Sequence, residues 1–341
     1  MDGFDLSSPP GISDTITQKY LETLFANQID GHELVANNSR WSNFKTRRTE
    51  HWRTRGDSGT PVVFIGDAVH TAHFSVGSGT KMAMEDAAAL ANSVASHSDI
   101  DDALGDFEKI RKPQVAKIQT SSVPSLSWWD HFGEYYQTLD PWQFGFHFFS
   151  RSISAEKMRA RDPEFVENAE NAWAEHHASE PLSSPLKIGQ HKLRTRLLQI
   201  VGTDDGEIRL TDGTTTITAV SDYSSKRDAV VPLIVAPDAH GTTLGEPVRR
   251  HIETVIDTNP AAIAVRGGAD LSRVLCSELI RLHTLIPSII IDQPQSVRAR
   301  RPIDENDCAA TLILSGRADA VAFEAESTHE SHTPKSAEVT R

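Results

Sequence analysis

Residues 66–87, GDAVHTAHFSVGSGTKMAMEDA, bring together the residue types that could hold a flat, polar ligand. They follow Val62-Val63-Phe64-Ile65, a short continuous run of β-formers that reads as a buried strand. They lead into a strongly helix-forming stretch from Lys81. Asp67 therefore falls where a strand ends, the crevice in which α/β sheets bind ligands, and a carboxylate there can accept hydrogen bonds from a polyol. Gly77 and Gly79 let backbone N–H groups come close to a flat ring. The helix beginning near Thr80 points its partially positive N-terminus at the same place. A bare Gly66-Asp67 would be no more than a strand end and a turn; strand, glycine loop and helix in succession make a ligand site.

Other candidates carry less. His70 and His73 stand at i, i+3 in the loop and His176-His177 are adjacent, but neither pair has the convergent ligands of a metal centre, so structural or surface roles and no metal are expected. Cys276 and Cys308 form no C-x-x-C and read as buried thiols in a reducing cytoplasm. Ser75 and Ser78 lack the G-x-S-x-G frame of a hydrolase. The basic trio Arg298, Arg300 and Arg301 reads as a solvated loop. The aromatic stretch 128–149 could line a tunnel for a long ligand or simply pack a helical core; Trp128 and Trp129 are its first residues to test.

The elements that must position these groups follow from pattern. Thr15–Ala26 carries apolar residues at helical spacing, with Ser13 or Asp14 as cap. After the strand–loop–helix come helices over about 101–120, 122–138 and 163–177, then a polar, proline-containing stretch, 176–185, that reads as a linker. Strand candidates at 195–201, 229–236, 261–265 and 287–291 alternate with helix candidates at 246–257, 269–283 and 305–315, as in βα units. The chain has 341 residues, 34 basic and 47 acidic, for a net charge of −13. That sign disfavours nucleic acid and anionic membranes as partners. The excess sits mostly before residue 181, with 16 basic and 26 acidic residues over 1–180. No apolar run is long enough to span a bilayer.

The 66–87 stretch resembles the second FAD-binding motif of the flavin aromatic hydroxylases, the class typified by para-hydroxybenzoate hydroxylase. The variant HTAHFSVGSGTK, with Phe74 in place of the usual proline and Lys81 in place of the usual asparagine, is similar to the narrower group of salicylyl-CoA 5-hydroxylases and 2-aminobenzoyl-CoA monooxygenases. DGHELVANNSRWSNF (30–44), SLSWWD (125–130), DPWQFGFHFFSRS (140–152) and RDPEF (161–165) agree with that group. The resemblance implies that Gly66 and Asp67 lie at the ribityl chain of FAD, that Gly77, Gly79, Thr80 and Lys81 face the pyrimidine edge of the flavin ring, and that Asp86 completes the motif. It implies NAD(P)H as reductant, a flavin C4a-hydroperoxide as oxygen donor, and an aromatic or aryl-CoA substrate, with no assigned catalytic side chain.

The sequence contains no G-x-G-x-x-G for the ADP half of FAD. The reading is therefore of an N-terminally truncated relative that alone binds FAD weakly or not at all. The alternative is a non-catalytic remnant, or a subunit that complements a separate N-terminal half or self-associates. In the second half, 181–201 and 306–323 resemble the first and last units of an old yellow enzyme-like reductase barrel. There a Gly-Arg pair at an FMN phosphate maps to Gly316 and Arg317, yet the interval is far shorter than an eight-fold barrel. The expected fold is α/β: the end of a hydroxylase substrate-binding region (1–60), a partial FAD-binding domain with a helical extension (61–178), a degenerate βα-barrel-like segment without reductase activity (179–324) and a disordered tail (325–341).

Overall fold

The computed structural model describes residues 14–36, 46–204, 206–223, 229–239, 241–293 and 304–324. Trp41, the 298–301 arginines and the 325–341 tail lie outside these residues. Two compact units divide at Gln119/Thr120.

The first unit holds α1 (Thr15–Leu24), β1 (Arg53–Arg55), β2 (Pro61–Val63), α2 (Gly79–Ser96) and the start of α3 (Ile100–Asp130), within which the boundary falls. Asp14 caps α1 by accepting from the amides of Ile16 and Thr17 at 3.1 and 3.0 Å. The expected buried strand is instead one half of a two-stranded antiparallel ribbon, β1 with β2. Val62 and Phe64 are 36% and 42% exposed, because no second layer among the described residues covers that face. The expected break near residue 121 is also absent: α3 runs on through Pro113 and Pro124. A core of Trp52, Val69, Met82, Phe107 and Val115 holds α2 and α3 against the loop after β2.

The second unit begins with helices α4 (Phe132–Thr138), α5 (Pro141–Ser150), α6 (Ala155–Arg159) and α7 (Pro163–His177). There follow β3 (Leu186–Ile188), β4 (His191–Leu193), β5 (Leu197–Asp204), β6 (Glu207–Thr211), β7 (Thr216–Val220), β8 (Val230–Val235), α8 (Glu246–Asp257), β9 (Ile263–Arg266), α9 (Asp270–His283), β10 (Ser288–Asp292), α10 (Glu305–Leu314) and β11 (Ala320–Phe323). Seven strands close a barrel in the order β10-β11-β5-β6-β7-β8-β9. Three βα crossovers link β8 to β11 in parallel, and β11 pairs in parallel with β5. The circle is completed by an antiparallel meander, β5-β6-β7.

Side-chain alternation explains the layers. Leu233, Ala264, Ile289, Ile291, Ala320 and Ala322 fill the interior with Ile208, Leu210 and Ile217 of the meander. Ile290 and Val321 face outward onto α5, α6, α7 and α10, while Ile234, Ile263 and Val265 face α8 and α9. The β3–β4 hairpin adds Leu186, Ile188 and Leu193 to the interior. The 176–185 stretch is built into this unit rather than hanging free: Ser184 is fully buried and its hydroxyl accepts from Arg196 Nε at 2.6 Å. Beyond β9, Gly268 has φ +64°, and a Cβ there would lie 2.3 Å from the Ala236 carbonyl oxygen. Only glycine permits that approach between neighbouring strand ends.

Candidate functional site

The Asp67 region is assembled by Asp86, which lies on the inner face of α2 and is completely buried. Its Oδ2 accepts the Gly66 amide at 2.9 Å and lies 2.6 Å from His70 Nε2. Its Oδ1 accepts from Arg111 Nε at 2.8 Å. Arg111, also buried, reaches Glu85 at 3.1 Å. These bonds fix the chain as it leaves β2. Gly66 takes φ +58°, and a Cβ on it would meet Ala83 Cβ at 3.1 Å, so the turn lies flat against α2. A second clamp comes from Arg47, which donates to the Asp67 carbonyl at 3.1 Å, and from Gln119 Nε2, which bonds the carbonyls of Arg47 and Thr71, each at 2.8 Å.

Asp67 itself is exposed at the head of this turn. Across the loop, α2 begins at Gly79 with no side-chain cap, because the Ser78 hydroxyl bonds back to Val76 O. The first amides of a helix have no intrahelical acceptor, and those of Gly79, Thr80 and Lys81 find none among the described residues. Among the described residues, nothing lies within 4 Å of where a Cβ would stand on Gly77 or Gly79. Thr80 and Lys81 are exposed, with Lys81 Nζ 3.5 Å from Glu85. The loop thus leaves Asp67, Gly77, Thr80 and Lys81 exposed and Gly79 partly so, with Gly66 buried against α2 and Asp86 spent on internal partners. This arrangement suits a flavin: an open carboxylate for hydroxyls and an unobstructed row of amides for an anionic ring edge. Arg111 and His70 were not singled out as holders of Asp86. A signal existed, since Arg111 interrupts the apolar stripe Leu104, Phe107, Val115 of α3 with a charge.

Gly316 and Arg317 stand elsewhere, between α10 and β11, at the N-terminal end of a barrel strand; barrel ligand sites lie at the C-terminal ends. Arg317 is buried. Its Nε is 3.3 Å from Glu278 Oε1, Nη1 donates to Ser150 Oγ at 2.6 Å and Nη2 to His147 O at 2.8 Å. Those donors are committed internally, so the pair forms no phosphate cradle. Glu278 also accepts from Tyr135 Oη at 2.7 Å and from His147 Nε2 at 2.9 Å. On its other side His147 Nδ1 accepts the Trp128 indole N–H at 2.9 Å. An acceptor at Nδ1 and a donor at Nε2 make His147 a neutral imidazole. Trp128 is thereby a core residue, packed against Phe132, Tyr135, Phe144 and Phe148, while Trp129 stacks on Phe132 with 40% of its surface exposed.

Burial, reinforced by the Arg317 charge, pushes His147 down from 6.5 to about 4. Burial alone would raise Glu278, but the hydrogen bond from His147, the Arg317 charge and the hydrogen bond from Tyr135 hold it down at about 2. Both shifts act in the same direction. Between 6.5 and about 4 the unfolded chain takes up a proton at His147 that the folded chain refuses, so stability falls as the pH falls through that range. Glu278 adds a further loss below 4.5. The expected result is a urea midpoint that drops on acidification from pH 6.5, with a shallower drop for His147→Gln; equal slopes would refute the assignment. Burial pushes the Cys276 thiol up to about 12 and raises that of Cys308, which disfavours the thiolate at both. Among the described residues there is no metal-binding cluster, and no helix long and apolar enough to cross a membrane.

The exposed Asp67 carboxylate and the uncapped start of α2 are polar groups open to a ligand, and comparison with known proteins points to monooxygenases. The chain is 44% identical over 326 residues to a salicyloyl-CoA 5-hydroxylase from Streptomyces sp, covering 94% of this chain and 58% of that protein. It is 41% identical over 104 residues to a 3-hydroxy-4-methyl-anthranilyl-(aryl-carrier protein) 5-monooxygenase from Streptosporangium sibiricum, covering 30% of this chain and 28% of that protein. Protodeoxyviolaceinate monooxygenase from Chromobacterium violaceum is 29% identical over 120 residues, 35% of this chain and 31% of its own. No protein-family model matches the chain. The chain therefore spans little more than half the length of the hydroxylase it resembles along nearly all its own length.

Proposed function

We propose that the chain is the flavin-contacting and C-terminal portion of an FAD-dependent monooxygenase that hydroxylates an aromatic ring carried as a coenzyme A thioester. The observation that carries this is the exposed Asp67 on the loop that leads into the uncapped start of α2. The named activity of the Streptomyces relative supplies the substrate class. Bound flavin, once reduced by NAD(P)H, supplies the oxygen chemistry. The chain's own residues bind and polarise. Asp67 accepts hydrogen bonds from the ribityl hydroxyls. The amides of Gly79, Thr80 and Lys81, with the helix dipole behind them, stabilise negative charge at the pyrimidine edge, and the Lys81 ammonium adds to that field. Asp86 works at one remove, by holding Gly66 and so the backbone from which Asp67 projects. No protein acid or base is assigned.

The barrel fits a former flavin-reductase unit that no longer reduces. Carboxylates at strand ends support this: Asp292 pairs with Arg273, and Glu324 lies 3.0 Å from Arg266, a poor setting for an FMN phosphate. One observation favours a second reading, a subunit completed by another polypeptide. The β1–β2 ribbon leaves Val62 and Phe64 uncovered. Co-purification with a chain carrying G-x-G-x-x-G would support it.

The test is an FAD titration of the full chain followed by flavin absorbance and fluorescence. Because the sequence carries no G-x-G-x-x-G, binding is expected to be weak: a change that saturates only at high FAD concentration in the wild type and none in Asp67→Ala, with folding unaltered because Asp67 is exposed. Unchanged flavin binding by Asp67→Ala would refute the assignment.

A further inference from the structure

Beside the Glu278 cluster, wholly within the second unit, a cavity of about 170 Å³ opens between the end of α3, α5, α9 and α10. Its walls are apolar where Trp128, Leu271, Val274 and Leu312 meet, and polar at Arg151 and Arg317. The two carboxylates on the wall are already held. Glu278 has Arg317, His147 and Tyr135, and Asp270 lies 3.0 Å from Arg273. The guanidinium of Arg317 is matched by Glu278. That of Arg151 is not matched: its Nε donates to Ser125 Oγ at 3.1 Å, its Nη1 to Phe148 O, and its Cζ lies 3.8 Å from the Phe148 ring centroid. All these partners are neutral, and no carboxylate lies within ion-pair distance among the described residues. The side chain is half-buried, with desolvation and the neighbouring Arg317 both working against its charge. A desolvated, positioned cation at the mouth of an apolar hollow is short of one anion.

From this geometry we infer that the cavity is a binding site for a small aromatic monocarboxylate, its carboxylate forked by Arg151 and its ring lying against Trp128, Val274 and Leu312. A planar carboxylate matches the free edge of a guanidinium, and the other polar groups on the wall, Ser127, Ser150, Thr311 and Arg317 among them, already have internal partners, so the cavity offers no second unmatched charge. The volume suits a single substituted ring rather than a nucleotide or a coenzyme A tail. The inference does not depend on the flavin reading, since it rests on residues of the second unit alone.

The experiment uses the full chain and benzoate, with benzyl alcohol as the neutral analogue and inorganic phosphate as the anion without a ring. Benzoate is expected to give saturable quenching of tryptophan fluorescence and an upward shift of the melting temperature. Benzyl alcohol and phosphate should do neither at the same concentration. Arg151→Met should weaken benzoate binding about ten- to hundredfold, the scale of one charge-assisted hydrogen-bonded pair. Arg151→Lys keeps the charge but loses the fork and should fall between. Circular dichroism of both variants confirms that each is folded. Absence of saturable benzoate binding, equal binding by Arg151→Met, or phosphate binding as tightly as benzoate would each overturn the proposal.

Discussion

Glu278→Ala is expected to lower the stability of the barrel unit by about 3–5 kcal/mol, the cost of removing one partner from a buried ion pair. Glu278 is 4% exposed and is the common acceptor for three donors, from Arg317, His147 and Tyr135. Without it the Arg317 guanidinium, 7% exposed, keeps as partners Ser150 Oγ, the His147 carbonyl and, at 3.5 Å, His147 Nδ1. None of these neutralises its charge. The Tyr135 hydroxyl and the His147 N–H lose their acceptor in the same step, each adding an unsatisfied buried donor. Glu278→Gln should cost less, since its carbonyl still accepts while its amide opposes one donor. Glu278→Leu combined with Arg317→Met should recover much of the loss, because a buried pair replaced by apolar groups of similar volume is often close to neutral. Denaturant unfolding of the four proteins, followed by tryptophan fluorescence, gives the order directly. A single-alanine loss no larger than the about 0.5 kcal/mol of a surface substitution would mean that the cluster does not hold α4, α5 and α9 together.

Some of this was legible in the chain and some was not. The helices over 163–177 and 246–257 coincide with α7 and α8. In α7, Asp162 caps by accepting the Phe165 amide and Pro163 takes a position whose N–H would be unpaired anyway. The four strand candidates correspond to β5, β8, β9 and β10, and three of these are continuous apolar runs because helices cover their outer faces. The β6–β7 meander escaped notice for the opposite reason. Its outward residues Glu207, Arg209 and Thr216 face solvent, so its strands alternate and resemble polar loop. Barrel closure was legible only through the resemblance of 181–201 and 306–323 to the first and last units of a barrel, and not from local pattern, since it depends on β11 meeting β5, segments about 120 residues apart.

At the site, residue type alone could not separate solvent-facing from load-sharing carboxylates. Asp67 and Asp86 are both aspartates of one motif. Burial distinguishes them: one is open to solvent, the other sealed between two helices. In the same way Gly316-Arg317 fits a phosphate-binding pair by type, and only its place before β11 and its bond to Glu278 show that its charge is spent. A side chain's partners come from segments far away in sequence, so its role is fixed at the level of packing.

That distinction gives the second large effect. Asp86→Ala is expected to lose about 3–5 kcal/mol of stability and flavin binding together, although Asp86 has no exposed surface with which to touch a ligand. The stability loss follows from Arg111, 2% exposed, which would be left with only the half-buried Glu85 as counter-charge. The binding loss follows from Gly66. Its amide, donating to Asp86 Oδ2 at 2.9 Å, pins a residue at φ +58° immediately before Asp67. Once that bond is cut, the turn is free to leave a conformation that holds the carboxylate in place, and pre-organisation of the site is lost. Asp86→Asn keeps the shape and an acceptor for Gly66 but removes the charge facing Arg111. It should therefore recover much of the flavin binding while recovering less of the stability. The two readouts separate positioning from mere stability: Asp67→Ala should affect binding alone, Asp86→Ala both, and Asp86→Asn chiefly stability. If folded Asp86→Ala bound FAD as well as the wild type, the turn would not need Asp86 to present Asp67, and the positioning role would be wrong.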